Sequence, residues 1–146
     1  MCSPLISKHS ESSRMTQRFG IDTSVLVRLA TGAPQIQFQR TVDKLTVLIE
    51  KQGAQIVASN QVIGESYIAL QHHYGVEKID ARTALSGVLQ SGLVEALRGQ
   101  STLHALAAIK GCGLMDRLIA AAYNDQGFTT LTLDKKMAKL KNAILL

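Results

Sequence analysis

The chain of 146 residues contains two cysteines, two prolines, no tryptophan, and only three Phe and three Tyr. Each scarcity excludes something. Cys2 and Cys112 build no disulfide framework and have no metal-ligand spacing, and Cys112 is expected as a small core residue. His9, His72, His73 and His104 match no zinc arrangement. The adjacent His72 and His73 would point about 100° apart on a helix, so they are expected at the surface or at a helix end. No run approaches the roughly 18 apolar residues that cross a bilayer, so no membrane partner is expected. The opening MCSPLISKHSESS, broken by Pro4 and Lys8, lacks the apolar core of a signal peptide, which makes a cytoplasmic location the expectation. Glycine-rich phosphate loops and dinucleotide fingerprints are also missing, which argues against a nucleotide cofactor. With so few aromatics, readout of bases by stacking has few candidates.

What is present describes a soluble globular domain. Apolar residues make up 46% and charged residues 18%, enough for a core without disulfides or structural zinc. The net charge of +5 suits an acidic partner such as nucleic acid, although charge alone is weak evidence. Residues 1–17 are polar, Ser-rich and unpatterned and read as a disordered extension, followed by one domain over 18–146. MTQRFGIDTS would itself make a natural chain start, so translation is expected to be able to begin at Met15, which an intact mass decides.

Along the domain, FGID reads as a strand and the Val/Leu segment after it as the start of a helix. APQIQFQRTVDKLTVLIEKQG reads as a helix with Pro34 in its first turn and Gly53 as its stop. AQIVAS is a strand, and NQVIGESYIALQHHYG a helix with Asn60 as N-cap and Gly75 as its end. VEKIDARTALSGVLQSG is helical, LVEAL a short strand, and STLHALAAIKG a helix capped by Ser101. MDRLIAAAYNDQG, FTTLTLD, KKMAKL and AILL follow as helix, strand, short helical turn and strand. Strands alternating with helices predict an α/β fold: a three-layer α/β/α domain around a central parallel sheet, with ligands at the carboxyl ends of the strands.

Carboxylates stand where such a site would be. Asp22 closes FGID and Asp134 closes FTTLTLD, while Glu65 and Asp116 lie near helix starts. Taken singly each has an ordinary explanation, because strand-end Asp residues start turns and helix N-termini favour negative charge. Together they would project toward one edge of a parallel sheet. Clustered carboxylates repel unless a cation lies between them, and oxygen-only ligands select Mg²⁺ or Mn²⁺ over zinc. Asp125, at the far end of the Asp116 helix, reads as a solvated surface acid.

At these residues the sequence resembles a family. IDTSVLVRL is similar to the opening motif of PIN-domain ribonucleases, which include the VapC toxins of bacterial toxin–antitoxin pairs. NQVIGESYIAL, GLMDRLIAAAYNDQG and TTLTLDKKMAKL resemble the second, third and fourth motifs, in order, across about residues 19 to 141. The resemblance implies that Asp22, Glu65, Asp116 and Asp134 are the acidic catalytic set. It implies Asp22, Asp116 and Asp134 mainly as metal ligands, and Glu65 as a ligand through water or as a base. Ser24 would hydrogen-bond to Asp22 or to a bound water. Some members carry a further acid where Cys112 stands, so occupancy of a second metal position is in question.

The implied reaction is hydrolysis of an RNA phosphodiester to a 5′-phosphate and a 3′-hydroxyl, with Mg²⁺ or Mn²⁺ activating water and neutralising the leaving oxygen. Arg117, Lys135 and Lys136 would contact phosphates, helped by Lys139 and Lys141; a solvated basic face is the alternative for the lysines. The resemblance also implies a homodimer and a cognate antitoxin protein. The competing readings are a catalytically degenerate RNA- or protein-binding module of the same fold and a phosphotransfer enzyme. A haloacid-dehalogenase-type phosphatase would need D-x-D after the first strand, where Ser24 stands instead.

Overall fold

The computed structural model describes residues 17–146. The expectations for an extension over 1–17 and for a start at Met15 therefore lie, apart from residue 17, outside the described residues. Strand β1 (Arg18–Gly20) leads into α1 (Thr23–Thr31), α2 (Gln35–Gln52), β2 (Gln55–Ala58), α3 (Asn60–Tyr74), α4 (Lys78–Leu89) and β3 (Glu95–Ala96). Then come α5 (Gln100–Ala107), α6 (Leu114–Asp125), β4 (Thr130–Thr132), a 3₁₀ turn (Met137–Lys139) and β5 (Ala143–Leu145). Helices linking strands that are all parallel make this the α/β class that the alternation predicts.

Local chemistry explains most boundaries. Gly53 and Gly75 end α2 and α3 in the left-handed region, at φ +64° each, where an L side chain is strained. Pro34 stands one residue before α2, as its N-cap. Ser59, not Asn60, caps α3: its side chain accepts the Val62 amide at 3.2 Å, and Asn60 is the first helical residue. Ser101 is likewise not a cap. It lies inside α5, where its hydroxyl donates to Asp125 Oδ2 at 2.9 Å and stands 3.2 Å from the Arg98 carbonyl. His72 and His73 are exposed in the last turn of α3, as expected.

The parallel ladder is in two parts among the described residues. One sheet has the order β1–β2–β3, with Phe19 opposite Ile56 and Val57 opposite Glu95. β4 and β5 form a separate pair, with Leu131 opposite Ile144. The main core packs Leu26, Ile56, Ile63, Leu70, Leu85, Val94, Leu114 and Leu118. A second, smaller cluster of Cys112, Ala120 and Met137, with Leu140 against it, seats the C-terminal strand pair on α6. Cys112 is thus the buried core residue that the sequence suggests.

Candidate functional site

Asp22 stands two residues beyond β1, with extended backbone (φ −99°, ψ −178°), and caps α1. Its Oδ1 accepts the Ser24 hydroxyl at 2.6 Å and the Val25 amide at 3.3 Å. These bonds stabilise the ionised form, so the carboxyl is held below the usual carboxylate range, by Ser24 first and the Val25 amide second. Asp22 is exposed. An Asp at the end of a first strand is therefore accounted for locally: it begins the next helix and stays charged.

The intervening residue makes a longer connection. Thr23 Oγ1 donates to Glu65 Oε1 at 2.9 Å, across 42 positions of sequence, and Gln61 Nε2 donates to Oε2 at 3.4 Å. Glu65 sits beyond the first turn of α3, which contains no acid, so its position is set by Thr23 and Gln61. No local sequence pattern singles out Thr23. The only available signal for Gln61 was its place four residues before Glu65 on a helix.

Asp116 lies in the first turn of α6 and is half-buried. Its helix is fixed against α3 by Asn60 Nδ2, which donates to the Leu118 carbonyl at 3.2 Å, while Thr102 Oγ1 donates to Asn60 Oδ1 at 2.7 Å. The Met115 side chain fills the space over Gly64, where a Cβ would stand 2.6 Å from Met115 Sδ. The residues preceding Glu65 and Asp116 are therefore in contact across two helices. Asp134 belongs to the other strand pair. Its Oδ1 accepts the amides of Lys136 at 2.7 Å and Met137 at 3.1 Å, which starts the 3₁₀ turn.

The structure thus ties Thr23, the residue after Asp22, to Glu65, keeps Asp116 on the neighbouring helix, and carries Asp134 beyond the separate β4–β5 pair. Among the described residues no group of three His, Cys, Asp or Glu side chains stands close enough to hold a metal ion. The donor chemistry, carboxylate oxygen alone, fits a hard divalent cation, and Mg²⁺ in particular is commonly held by one or two carboxylates with water completing its shell. The convergence of all four acids expected from the sequence is absent here. The physical reason is the attachment of the β4–β5 pair to α6 instead of to the edge of β1.

The cationic candidates divide. Arg117 Nε donates to the Cys112 carbonyl at 3.2 Å and its Nη2 to the Lys110 carbonyl, so the guanidinium closes the loop before α6. Gly111 in that loop has φ +87°, and a Cβ there would lie 3.3 Å from Arg117 Nη2. Lys135, Lys136, Lys139 and Lys141 are all exposed. Asp125 is an exposed surface acid, as expected, and it also pairs with Arg98 at 3.4 Å and accepts Ser101 at 2.9 Å.

With this geometry in hand, comparison with known families is decisive on class. The PIN domain model matches residues 20–143, and the chain belongs to the PIN domain family. PIN domains are generally nucleases, and the helices and parallel strands described above are consistent with their three-layer α/β/α architecture. No curated protein matches the chain, and no solved structure does.

Proposed function

We propose that the protein is a divalent-metal-dependent endoribonuclease, using Mg²⁺ with Mn²⁺ as a substitute, and that it acts in the cytoplasm as the toxin of a toxin–antitoxin pair. The observation that carries this reading is a pair of hydrogen bonds from adjacent residues at the carboxyl end of β1, Ser24 to Asp22 and Thr23 to Glu65. Two exposed carboxylates from distant parts of the chain are drawn together there and oriented by neutral hydroxyls. No cation neutralises either among the described residues. Such an arrangement suits work on a solvent-borne cation and an incoming water better than it suits stability.

In this reading Asp22, Asp116 and Asp134 are the metal-binding acids. Ser24 keeps Asp22 ionised and oriented. Glu65, held through Oε1 by Thr23 and through Oε2 by Gln61, is the group available to accept a proton from water. A bound metal ion would supply the charge needed to admit a polyanion to an acidic site. Lys135 and Lys136 hold phosphates of the substrate, and a cognate antitoxin and a homodimeric state accompany the toxin role.

The test is cleavage of labelled mixed RNA by purified protein with Mg²⁺ or Mn²⁺, against EDTA and against an identically purified Asp22→Asn. Metal-dependent cleavage lost in Asp22→Asn supports the reading, and equal activity in both preparations identifies a contaminant. Retention of RNA at low salt without cleavage by either supports instead the degenerate binding module. That second reading is favoured by one observation, the neutral, buried Cys112 where an acid stands in some members.

A further inference from the structure

Resting on the metal-dependent nuclease reading above, we propose that Asn60 and Thr102 are positioning residues for the reaction: their chain of hydrogen bonds sets the register of α6 against α3, and with it the separation of Asp116 from Glu65. Ser59 already caps α3 through the Val62 amide, so the side chain of the next residue, Asn60, is left to reach outward. Its Nδ2 donates to the Leu118 carbonyl of α6 at 3.2 Å, and its Oδ1 accepts the Thr102 hydroxyl of α5 at 2.7 Å. Donor chemistry allows one orientation. A carbonyl can only accept, so Nδ2 must face Leu118; Oδ1 then faces α5, and the Thr102 hydroxyl must turn its hydrogen toward it. Three helices meet at one amide.

Stability alone does not account for Thr102. It is fully buried, and a hydroxyl in such a place costs free energy that its hydrogen bond does little more than offset, whereas valine has the same shape without that cost. What a buried polar contact adds is direction. The rest of the seat of α6 on the core is apolar, with Leu114 and Leu118 in the main cluster, and apolar burial has no preferred direction. The N-cap of α6, Gly113, also supplies no side-chain bond to the first turn, which holds Asp116.

The bond stands where it can act on the acids. α3 and α6 run antiparallel here: position 60 meets 118, and position 64 meets 115, where Met115 Sδ and Cε would lie 2.6 and 2.8 Å from a Cβ on Gly64. Glu65 and Asp116 each follow one member of the second contact. Leu118 is about 3 Å of helix rise beyond Asp116, so a slide of α6 at the Asn60 bond is carried to Asp116 almost undiminished. Glu65 does not follow it, because Thr23 and Gln61 hold its two oxygens. Thr102, on a helix that supplies none of the four acids, therefore controls how far the Asp116 carboxylate stands from the group that accepts the proton.

Two substitutions at this one buried position separate positioning from packing. Thr102→Val keeps the volume and removes the hydrogen bond; Thr102→Ser keeps the hydrogen bond and leaves a methyl-sized gap. Each is measured in the full-length protein by Mg²⁺-dependent RNA cleavage, by urea unfolding, and by the nuclear Overhauser contact between the Met115 methyl and the Gly64 α-protons, which needs neither metal nor RNA. Thr102→Val is expected to lose about 10–100-fold in kcat, the scale of a misplacement of about 1 Å, with KM changed by less than about threefold and the Met115–Gly64 contact weakened. Thr102→Ser is expected to keep kcat and the contact although its urea midpoint falls. Equal loss in Thr102→Ser and Thr102→Val overturns the proposal, since packing then explains both, and so does Thr102→Val with kcat or contact unchanged. Should Thr102→Val not fold, Asn60→Ala takes its place at a half-buried position; it removes both bonds, and unchanged cleavage or contact overturns the proposal there as well. Wild type that does not cleave refutes the nuclease reading. The Met115–Gly64 contact then decides alone whether the bonds set the register: loss in Thr102→Val beside retention in Thr102→Ser supports it, and any other pattern overturns it.

Discussion

Replacing Arg82 tests the packing that supports α5. Arg82 is only 6% exposed, and its Nη1 donates to the carbonyls of Ala105, Leu106 and Ala108 at 2.9, 3.1 and 3.1 Å. Carbonyls in the last turn of a helix have no intrahelical partner, so this one guanidinium serves as the cap of α5. Its carbon also stands 5.8 Å from the centroid of the Tyr67 ring. Arg82→Met keeps most of the stem's volume and removes the donor. A single nitrogen has two hydrogens to give, so the three contacts amount to about two charge-assisted bonds, roughly 1.5–3 kcal/mol each. Losing the ring contact adds about 0.5–1 kcal/mol. Relief from burying a charge returns on the order of 1–4 kcal/mol. The expected net loss is about 3 kcal/mol, a large share of the roughly 5–15 kcal/mol that holds a domain folded.

Urea unfolding followed by circular dichroism measures the loss. With a slope of about 1.5–2 kcal/mol per molar, the midpoint of Arg82→Met should fall by about 1.5–2 M. Arg82→Lys retains the charge but not the planar fork, and its midpoint should lie between those of wild type and Arg82→Met. A midpoint for Arg82→Met within about 0.5 M of wild type would refute the reasoning, because it would mean that water satisfies those carbonyls equally well.

Three other substitutions give distinct outcomes. Ser24→Ala removes the largest cause of the lowered Asp22 carboxyl, which should rise toward the ordinary range in a carbon-detected NMR titration. A depressed carboxyl contributes stability that is full above its unfolded value and lost as pH falls through its folded one, so acid unfolding of the variant should begin at higher pH; an unmoved titration refutes the assignment. Ser66 is fully buried in α3 with no partner for its hydroxyl among the described residues, so Ser66→Ala should raise stability by about 1 kcal/mol, and a lowered urea midpoint would contradict this. Replacing Lys135 and Lys136 together by Ala should flatten the salt dependence of single-stranded RNA binding, measured by anisotropy in EDTA, by about 1.4 in log–log slope; an unchanged slope would assign both lysines to solvent alone.

The parts of the fold legible in the sequence are those decided within a few residues. Gly53 and Gly75 end helices because their backbone conformation suits little else, and Asp22 with Ser24 forms a contact spanning two residues. Ser59 and Asn60 are both good caps, and only the turn of the chain selects the first. The Thr23–Glu65 and Ser101–Asp125 contacts join residues 42 and 24 positions apart, which no local pattern encodes. FTTLTLD is legible as a strand, but its hydrophobicity is the same whichever edge it joins. Local and functional explanations of the strand-end acids also prove compatible. In both Asp22 and Asp134 the two local bonds fall on Oδ1. Capping therefore fixes each carboxylate by one oxygen and leaves Oδ2 without a bond among the described residues, so a residue that starts a helix or turn still has one oxygen to offer. Being accounted for as a turn is therefore no evidence against a further role for such an Asp, because the local bonds occupy one oxygen and hold a short, exposed side chain in place.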